Sequence, residues 1–405
     1  MKKEDITVVI VNDFDYVQGG ASKVALDTAE ILYENNYNVI FFSSTHKENN
    51  YSFKQITTNQ KECLKDGIKG SIRCISNRKV KKEFSELLKT LDNKKTIIHV
   101  HGYTKSLSSV IFKVSKKMGF QVVLTIHDYF TICPNGGLFN YKKCTICKKK
   151  PLSPSCIFTN CDSRNYFFKI YRIIRQFVQN KNLKNANIHY IYISDFSKKI
   201  IDNIKIKYKD YKRIDNPLDV NKEKFNNSSK NKYFAYLGRV SKEKGVDLFC
   251  EAIKEANLNG LVIGDGSELE RLKIKYPNIV FTGWKNKSEI NMLLKDVKVL
   301  VFPSLWYETM GLSALEALSV GIPVIVGDKC ATSDYIINNK NGLIFKSGNK
   351  EDLVKKLKEC DDEKISKLSE NAYKYYWKNP FDKKKYYEEL TKYYKQILKD
   401  SELNG

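Results

Sequence analysis

The chain has 405 residues, a formal charge of +24 and 42% hydrophobic residues, enough length for two substantial cores. No apolar run approaches the ~18–20 residues needed to span a bilayer, and the N-terminus lacks a secretory pattern, so a cytoplasmic protein is expected. The basic excess calls for an anionic partner, either nucleic acid or an acidic membrane face, and the ten cysteines point to free thiols or metal ligands before disulfides.

The run Ile6–Val11 reads as a buried strand by length and β-branching. After the loop Asn12–Gln18 come Gly19 and Gly20 and an amphipathic helix from Lys23 to about Tyr33. Strand, glycine loop and helix form either a structural turn or a cradle for phosphate or hydroxyl groups. Further strands are expected at Val39–Ser43, Thr96–Val100, Gln121–Ile126 and Tyr190–Ile193, with helical stretches such as Ser106–Met118 between them. That alternation gives an α/β fold with a doubly wound parallel sheet, whose ligands gather beyond the carboxyl ends of the strands. Two histidine sites fall at such ends, His99-Val-His101-Gly102 and His127-Asp128.

A cysteine cluster follows, with Cys133, Cys144, Cys147, Cys156 and Cys161 inside thirty residues. Four thiolates suit tetrahedral zinc and a CxxC knuckle supplies two of them, while reduced buried thiols and an iron–sulfur site are the alternatives. A zinc ribbon for nucleic acid would need a second CxxC. Lys142, Lys143 and Lys148–Lys150 interleave the cysteines and would suit phosphate or headgroup contacts. The segment Tyr166–Val178 is amphipathic, with aromatic residues on one side and Lys/Arg on the other, and reads as a cover helix or as one lying on an anionic bilayer. Ser194 is expected to cap the next helix.

The polar stretch Asn221–Lys232 reads as a linker. Beyond it, the strand Tyr233–Leu237 leads into Gly238-Arg239 and Lys244-Gly245, two cations on a glycine-bounded loop placed to clamp a diphosphate. Leu261–Ile263 is a strand ending at Gly264, and Trp284 follows Gly283 at the end of another. The run Val297–Phe302 then passes through a turn to Glu308, and a helix from Leu312 to Leu318 carries Glu316. The amides of Met310, Gly311 and Leu312 form an anion nest at that helix start, with an acid on either side to accept hydroxyl groups, a layout suited to a nucleotide diphosphate sugar. Gly342–Phe345, the helix Glu351–Leu357 and a Tyr/Lys-rich helical tail over Tyr373–Leu398 complete the chain.

Glu308 and Glu316 with seven residues between them, together with Gly311 and the following EAL…G.PV, closely resemble the retaining GT-B glycosyltransferases of family 4, the glycosyl transferases group 1. The resemblance covers nearly the whole chain. It implies two Rossmann-like doubly wound domains facing a cleft: 1–215 with a Cys-rich insertion at 130–165, a linker at 216–232, a sugar-nucleotide domain at 233–370, and a tail helix at 371–405 packing back on the first domain. By the same resemblance Arg239 and Lys244 hold the diphosphate with the amides of Met310, Gly311 and Leu312. Glu316 accepts the ribose hydroxyls, and Gly264, Gly19 and Gly20 line the donor side. His127 and Glu308 contact the sugar at the reacting centre, and His101 and Asp128 lie toward the acceptor. A subgroup with a similar cysteine insertion points to Cys133, Cys144, Cys147 and Cys161 as a structural zinc set, with Cys156 spare. The implied reaction is transfer from a nucleotide sugar, UDP being the commonest carrier, to a lipid-linked or glycan acceptor in bacterial surface polysaccharide synthesis at the inner membrane face. No metal cofactor is required for it. The rivals are another GT-B activity of the epimerase or phosphorylase kind and a basic zinc-containing nucleic-acid-binding protein.

Overall fold

The computed structural model describes residues 3–184, 186–204 and 210–403. Its contacts divide the chain into two units. One comprises Met1–Gly137, Lys149–Pro217 and Phe381–Gly405, and the other Leu138–Lys148 and Leu218–Pro380. In chain order the strands are β1 (Thr7–Val11), β2 (Asn38–Ser43), β3 (Lys54–Thr57), β4 (Thr96–Val100), β5 (Gln121–Ile126), the hairpin strands β6 (Phe139–Asn140) and β7 (Thr145–Ile146), β8 (Ile188–Tyr192) and β9 (Tyr211–Arg213). They continue with β10 (Tyr233–Leu237), β11 (Gly260–Ile263), β12 (Val280–Phe281), β13 (Val297–Phe302), β14 (Val324–Gly327) and β15 (Gly342–Phe345).

The first unit holds a parallel sheet in the order β3-β2-β1-β4-β5-β8-β9. Every residue of β1 is buried, which is why its sequence is a continuous β-branched run: both faces are covered by helices. The second unit repeats the plan with the order β12-β11-β10-β13-β14-β15, also parallel. In both, the strand order reverses beside the first strand of the unit, β1 next to β4 and β10 next to β13. That reversal opens a crevice beyond the carboxyl ends where ligands settle.

Three sequence expectations are revised. The helix expected from Ser106 begins at Val110, because Ser106 and Leu107 donate their amides to the Asp13 carboxylate at the end of β1 and Ser108 takes φ +70°. The tail is two helices, Asp362–Lys378 and Lys383–Leu403, broken at Pro380, which lacks an amide donor and turns the preceding residue away from helix. The stretch expected to be a linker is fastened to the second unit. Ser228 Oγ donates to Lys298 O (2.9 Å), Asn231 Nδ2 to Val297 O (2.9 Å) and Asn227 Nδ2 to the Ser366 hydroxyl (2.7 Å).

The helix Lys383–Leu403 contributes Tyr386, Leu390, Tyr393, Tyr394, Ile397 and Leu398 to the core that contains Val8, Ile10, Phe41 and Val123. Thr28 and Tyr386 share a buried hydrogen bond of 2.8 Å. Leu390→Ala should therefore lower stability by about 2–5 kcal/mol in a urea titration, the usual cost of a core leucine. Ending the chain at Asn379 should leave the first unit without a closed core, read as loss of its cooperative transition.

Candidate active site

In the second unit the loops after β10 and β13 are stitched to each other. Gly245 takes φ +71°, and a Cβ there would lie 2.0 Å from the Pro303 carbonyl oxygen, so only glycine permits the approach. Leu305 N donates to Glu243 O at 2.9 Å. Across this seam Lys244 Nζ reaches both carboxylate oxygens of Glu308, with Oε2 at 3.0 Å, and the Trp306 indole donates to the same carboxylate. The ammonium also sits 5.1 Å from the centre of the Trp306 ring. Glu308 is buried, and its main chain is fixed by Ala331 N donating to its carbonyl. Arg239 is 59% exposed and pairs with buried Glu243 at 2.7 Å, whose Oε1 also accepts from Ser241 Oγ. Both expected clamp cations are thus present, and each rests on a carboxylate.

The helix Leu312–Ser319 opens at Gly311, in the left-handed region at φ +86°. A side chain on Gly311 would meet Thr332 Oγ1 at 2.2 Å, and that hydroxyl donates to Met310 O at 2.6 Å. Gly311 therefore sets the close-packed start of the helix, and the amides of its first turn lack intrahelical acceptors. Glu316, four residues into this helix, is paired with Lys287 at 3.0 Å. Gly264 takes φ +145°, and a Cβ there would lie 1.9 Å from Gly238 O. Trp284 is exposed on the turn after β12.

In the first unit His101 and His127 follow the carboxyl ends of β4 and β5. His101 Nδ1 and His127 Nε2 lie 2.9 Å apart with rings stacked at 22°. His99 continues the string: its ring centre is 4.1 Å from that of His101, its Nδ1 is 2.6 Å from Tyr394 OH, and its Nε2 is 2.7 Å from Thr125 Oγ1. Burial pushes His127 and His99 down to about 3, His99 also feeling His127. His101 falls well below its usual value through burial and then its two neighbours. The three imidazoles are therefore neutral at pH 7, each ring with one donor and one acceptor nitrogen. Beside them Asp128 is raised to about 6 by burial, against the pull of the Phe130 amide that donates to it. A cavity of about 20 Å³ lined by His101, Gly102, His127, Asp128 and Thr131 has room for roughly one water.

Gly19 sits at the start of the helix Gly20–Glu34 with extended backbone, and nothing lies within 4 Å of where its Cβ would be. Neither packing nor conformation demands glycine there. Ser22 Oγ, which accepts from the amides of Gln18 and Gly19, shapes this open loop.

The cysteines of the expected zinc set are divided between the two units. Cys144 is exposed and Cys147 half-buried on the hairpin β6–β7, part of the second unit. In the first unit Cys161 and the supposedly spare Cys156 lie 3.2 and 3.5 Å from the ammonium of Lys169, while Asn135 touches Cys133 and Cys161. Burial alone would lower the Lys169 pKa; the thiol groups of Cys161 and Cys156 outweigh it and raise it. An ammonium among sulfurs does not fit a four-thiolate tetrahedron, and among the described residues no group of three or more His, Cys, Asp or Glu side chains is placed to hold a metal ion. Sequence reasoning also missed Glu243, Trp306, Thr332 and Tyr394. Thr332 and Tyr394 act through contacts made only by folding, whereas Glu243 lies four residues from Arg239 and Trp306 two residues from Glu308.

Residues 219–376 match the family model described as "Glycosyl transferases group 1". The chain is 29% identical over 263 residues to an uncharacterized 41.2 kDa protein in the cps region of Klebsiella pneumoniae, covering 60% of this chain and 71% of that protein. It is 30% identical over 159 residues to the UDP-Gal:alpha-D-GlcNAc-diphosphoundecaprenol alpha-1,3-galactosyltransferase of Escherichia coli, covering 36% of this chain but 40% of that enzyme. Among solved structures, Anabaena HepE in complex with UDP and glucose superposes with a TM-score of 0.69 at 15% identity, over 96% of this chain and 100% of that one. The fold is GT-B, with two Rossmann-like domains.

The neutral histidine string gives this region a pH signature. Between about 3 and 6.5 the unfolded chain binds protons that native His99, His101 and His127 refuse, so their contribution to stability is lost as pH falls below 6.5. Asp128 acts oppositely, the native state holding an extra proton between 3.8 and about 6. With three groups against one, the melting temperature of the first unit should fall from pH 7 to pH 5. His101→Gln should flatten that slope in a pH series of thermal melts.

Proposed function

We propose that this chain is a retaining glycosyltransferase of family 4 that moves a sugar from a nucleotide sugar, most simply a UDP-sugar, to a lipid-linked or glycan acceptor in surface polysaccharide synthesis. The observation that carries the proposal is the seam of Lys244 and Glu308 at the ends of β10 and β13, beside the helix start at Gly311. A cation, a row of free amides and two acids are gathered at the strand ends where such a fold binds ligands. The location of the first relative in a cps region, the acceptor in the second relative's name and the UDP and glucose held by the solved neighbour support the same reading.

In this reading Lys244 and Arg239 give up their carboxylate partners for the oxygens of a diphosphate, and the amides at Met310, Gly311 and Leu312 meet the same group. Negative charge grows on the departing diphosphate as the bond to the sugar breaks. Fixed cations and amide dipoles stabilise that charge, usually the largest catalytic term, without a metal ion. Glu316 accepts the ribose hydroxyls. Glu308, released from Lys244, accepts hydroxyls of the sugar, and His127 donates or accepts a hydrogen bond at the sugar as a neutral imidazole. No side chain is assigned in this reading as a nucleophile at the anomeric carbon. The acceptor hydroxyl therefore gives its proton to the leaving phosphate oxygen, attacking from the same face, and configuration is retained. Gly19 and Gly20 leave the first unit's loop bare enough for a ligand backbone to approach.

A thermal-shift screen against UDP-, GDP-, ADP- and dTDP-sugars checks this. One nucleotide sugar should stabilise the protein selectively, by about 2.7 kcal/mol at a hundredfold excess over its Kd. Glu316→Ala, which removes a partly exposed carboxylate paired only with Lys287 among the contacts described, should abolish that shift while leaving the unliganded melt nearly unchanged. No shift with any donor would refute the proposal.

A further inference from the structure

The helix Tyr166–Leu183 buries polar side chains and exposes apolar ones. Lys169, Arg175, Gln176 and Gln179 are buried along with Tyr171 and Ile173, each no more than 6% exposed, whereas Phe167, Ile170, Ile174 and Phe177 point outward and are 43–67% exposed. The reason is local. The irregular stretch 130–137 lies beneath the helix with carbonyl groups that need donors. Gln179 donates to Phe130 O (2.8 Å), Gln176 to Thr131 O (3.1 Å) and Arg175 to Pro134 O (2.9 Å). Satisfying those carbonyls uses the polar face and leaves the apolar one outside. A helix in water normally does the reverse.

The outward residues are spaced three, four and three apart, so they form one stripe along the helix. Two neighbours widen it. The helix Gly67–Ile75, packed against this one, exposes Ile68 and Ile72, and Phe158 at the end of Pro154–Ile157 is exposed as well. An apolar patch of this kind marks an interaction surface. Its charge identifies the partner. Lys181 continues the stripe, and with Lys81, Lys113 and Lys116 it lines a groove of about 380 Å³ that also includes Val110 and Val178. From residue 101 to residue 187 the sequence has two acids, Asp128 and Asp162, and Asp162 is buried and paired with Arg172 at 3.1 Å.

We propose that this face of the first unit docks on an anionic bilayer. The stripe Phe167, Ile170, Ile174 and Phe177 lies at the boundary of headgroups and acyl chains, and the lysine groove holds lipid phosphates. An apolar stripe beside a lysine-rich margin is what a helix lying in the membrane plane requires. The inference goes beyond the donor assignment: a lipid-linked acceptor would be met at this surface, but docking needs no sugar nucleotide, so the two readings fail separately.

The test is co-sedimentation of the full chain with vesicles of phosphatidylcholine alone or with about 30% phosphatidylglycerol, at low and high salt. The wild type should bind the anionic vesicles and leave the neutral ones, and salt should weaken the binding. The triple variant Phe167→Gln, Ile174→Gln, Phe177→Gln should bind at least about tenfold more weakly, as should Lys113→Glu with Lys181→Glu, the latter also losing salt sensitivity. Unchanged melting curves and donor-induced shifts establish that both variants are folded. Absence of wild-type binding, or variants that bind as well as the wild type, would overturn the proposal. So would a wild-type dimer in sedimentation velocity that the triple variant dissolves without any vesicle binding, which would assign the stripe to a second copy of the chain.

Discussion

A buried carboxylate at the end of a strand has to be paired, and much of the second unit's loop architecture follows from how Glu308 is paired. Lys244 comes to it from the loop after β10, and Trp306 from its own loop. For the ammonium to reach, the two loops must touch, which places the Pro303 carbonyl where a side chain on residue 245 would be. Removing one partner of such a pair leaves an uncompensated buried charge, typically a loss of about 3–5 kcal/mol. The pair is thus costly to break by mutation. In the proposed function an incoming diphosphate would replace the carboxylate as the partner of Lys244 and free Glu308 to hydrogen-bond the sugar, so that one salt bridge would couple the two events.

The first unit solves a different electrostatic problem. Three imidazoles lie in one string behind the ends of β4 and β5, where burial keeps them neutral. Tyr394, from the last helix, holds the far end. The C-terminal segment is therefore part of the core and hydrogen-bonds His99, whose ring packs against that of His101. A neutral His127 can donate or accept a hydrogen bond without carrying positive charge.

Much of this was legible in the sequence because its signals are local. Continuous β-branched runs marked β1, β4, β5 and β13, and glycines at 245 and 311 sat where positive φ was needed. The motifs of the proposed donor site lie within loops of a few residues. Contacts across long separations were not legible. Tyr394 and His99 are 295 residues apart, and nothing near Cys156 announces that it shares Lys169 with Cys161. The CxxC pair reads as half of a metal knuckle, and Cys144 and Cys147 lie on the hairpin of the second unit. Periodicity likewise showed two faces on Tyr166–Leu183 without showing which faces inward. That choice was made by loop carbonyls at 130, 131 and 134, which no helical pattern encodes. Gly264 was legible as a special glycine, and the Gly238 carbonyl leaves no room for a side chain there.

The central claim is that Arg239 and Lys244 leave their carboxylates for a nucleoside diphosphate. Calorimetric titration of UDP into the wild type, Arg239→Ala and Lys244→Ala tests it most directly. The account requires each variant to bind UDP at least about tenfold more weakly, the scale of one charge-assisted hydrogen bond, with uridine itself binding all three proteins alike. If UDP binds both variants as it binds the wild type, the cations belong to their carboxylates alone and the donor site lies elsewhere.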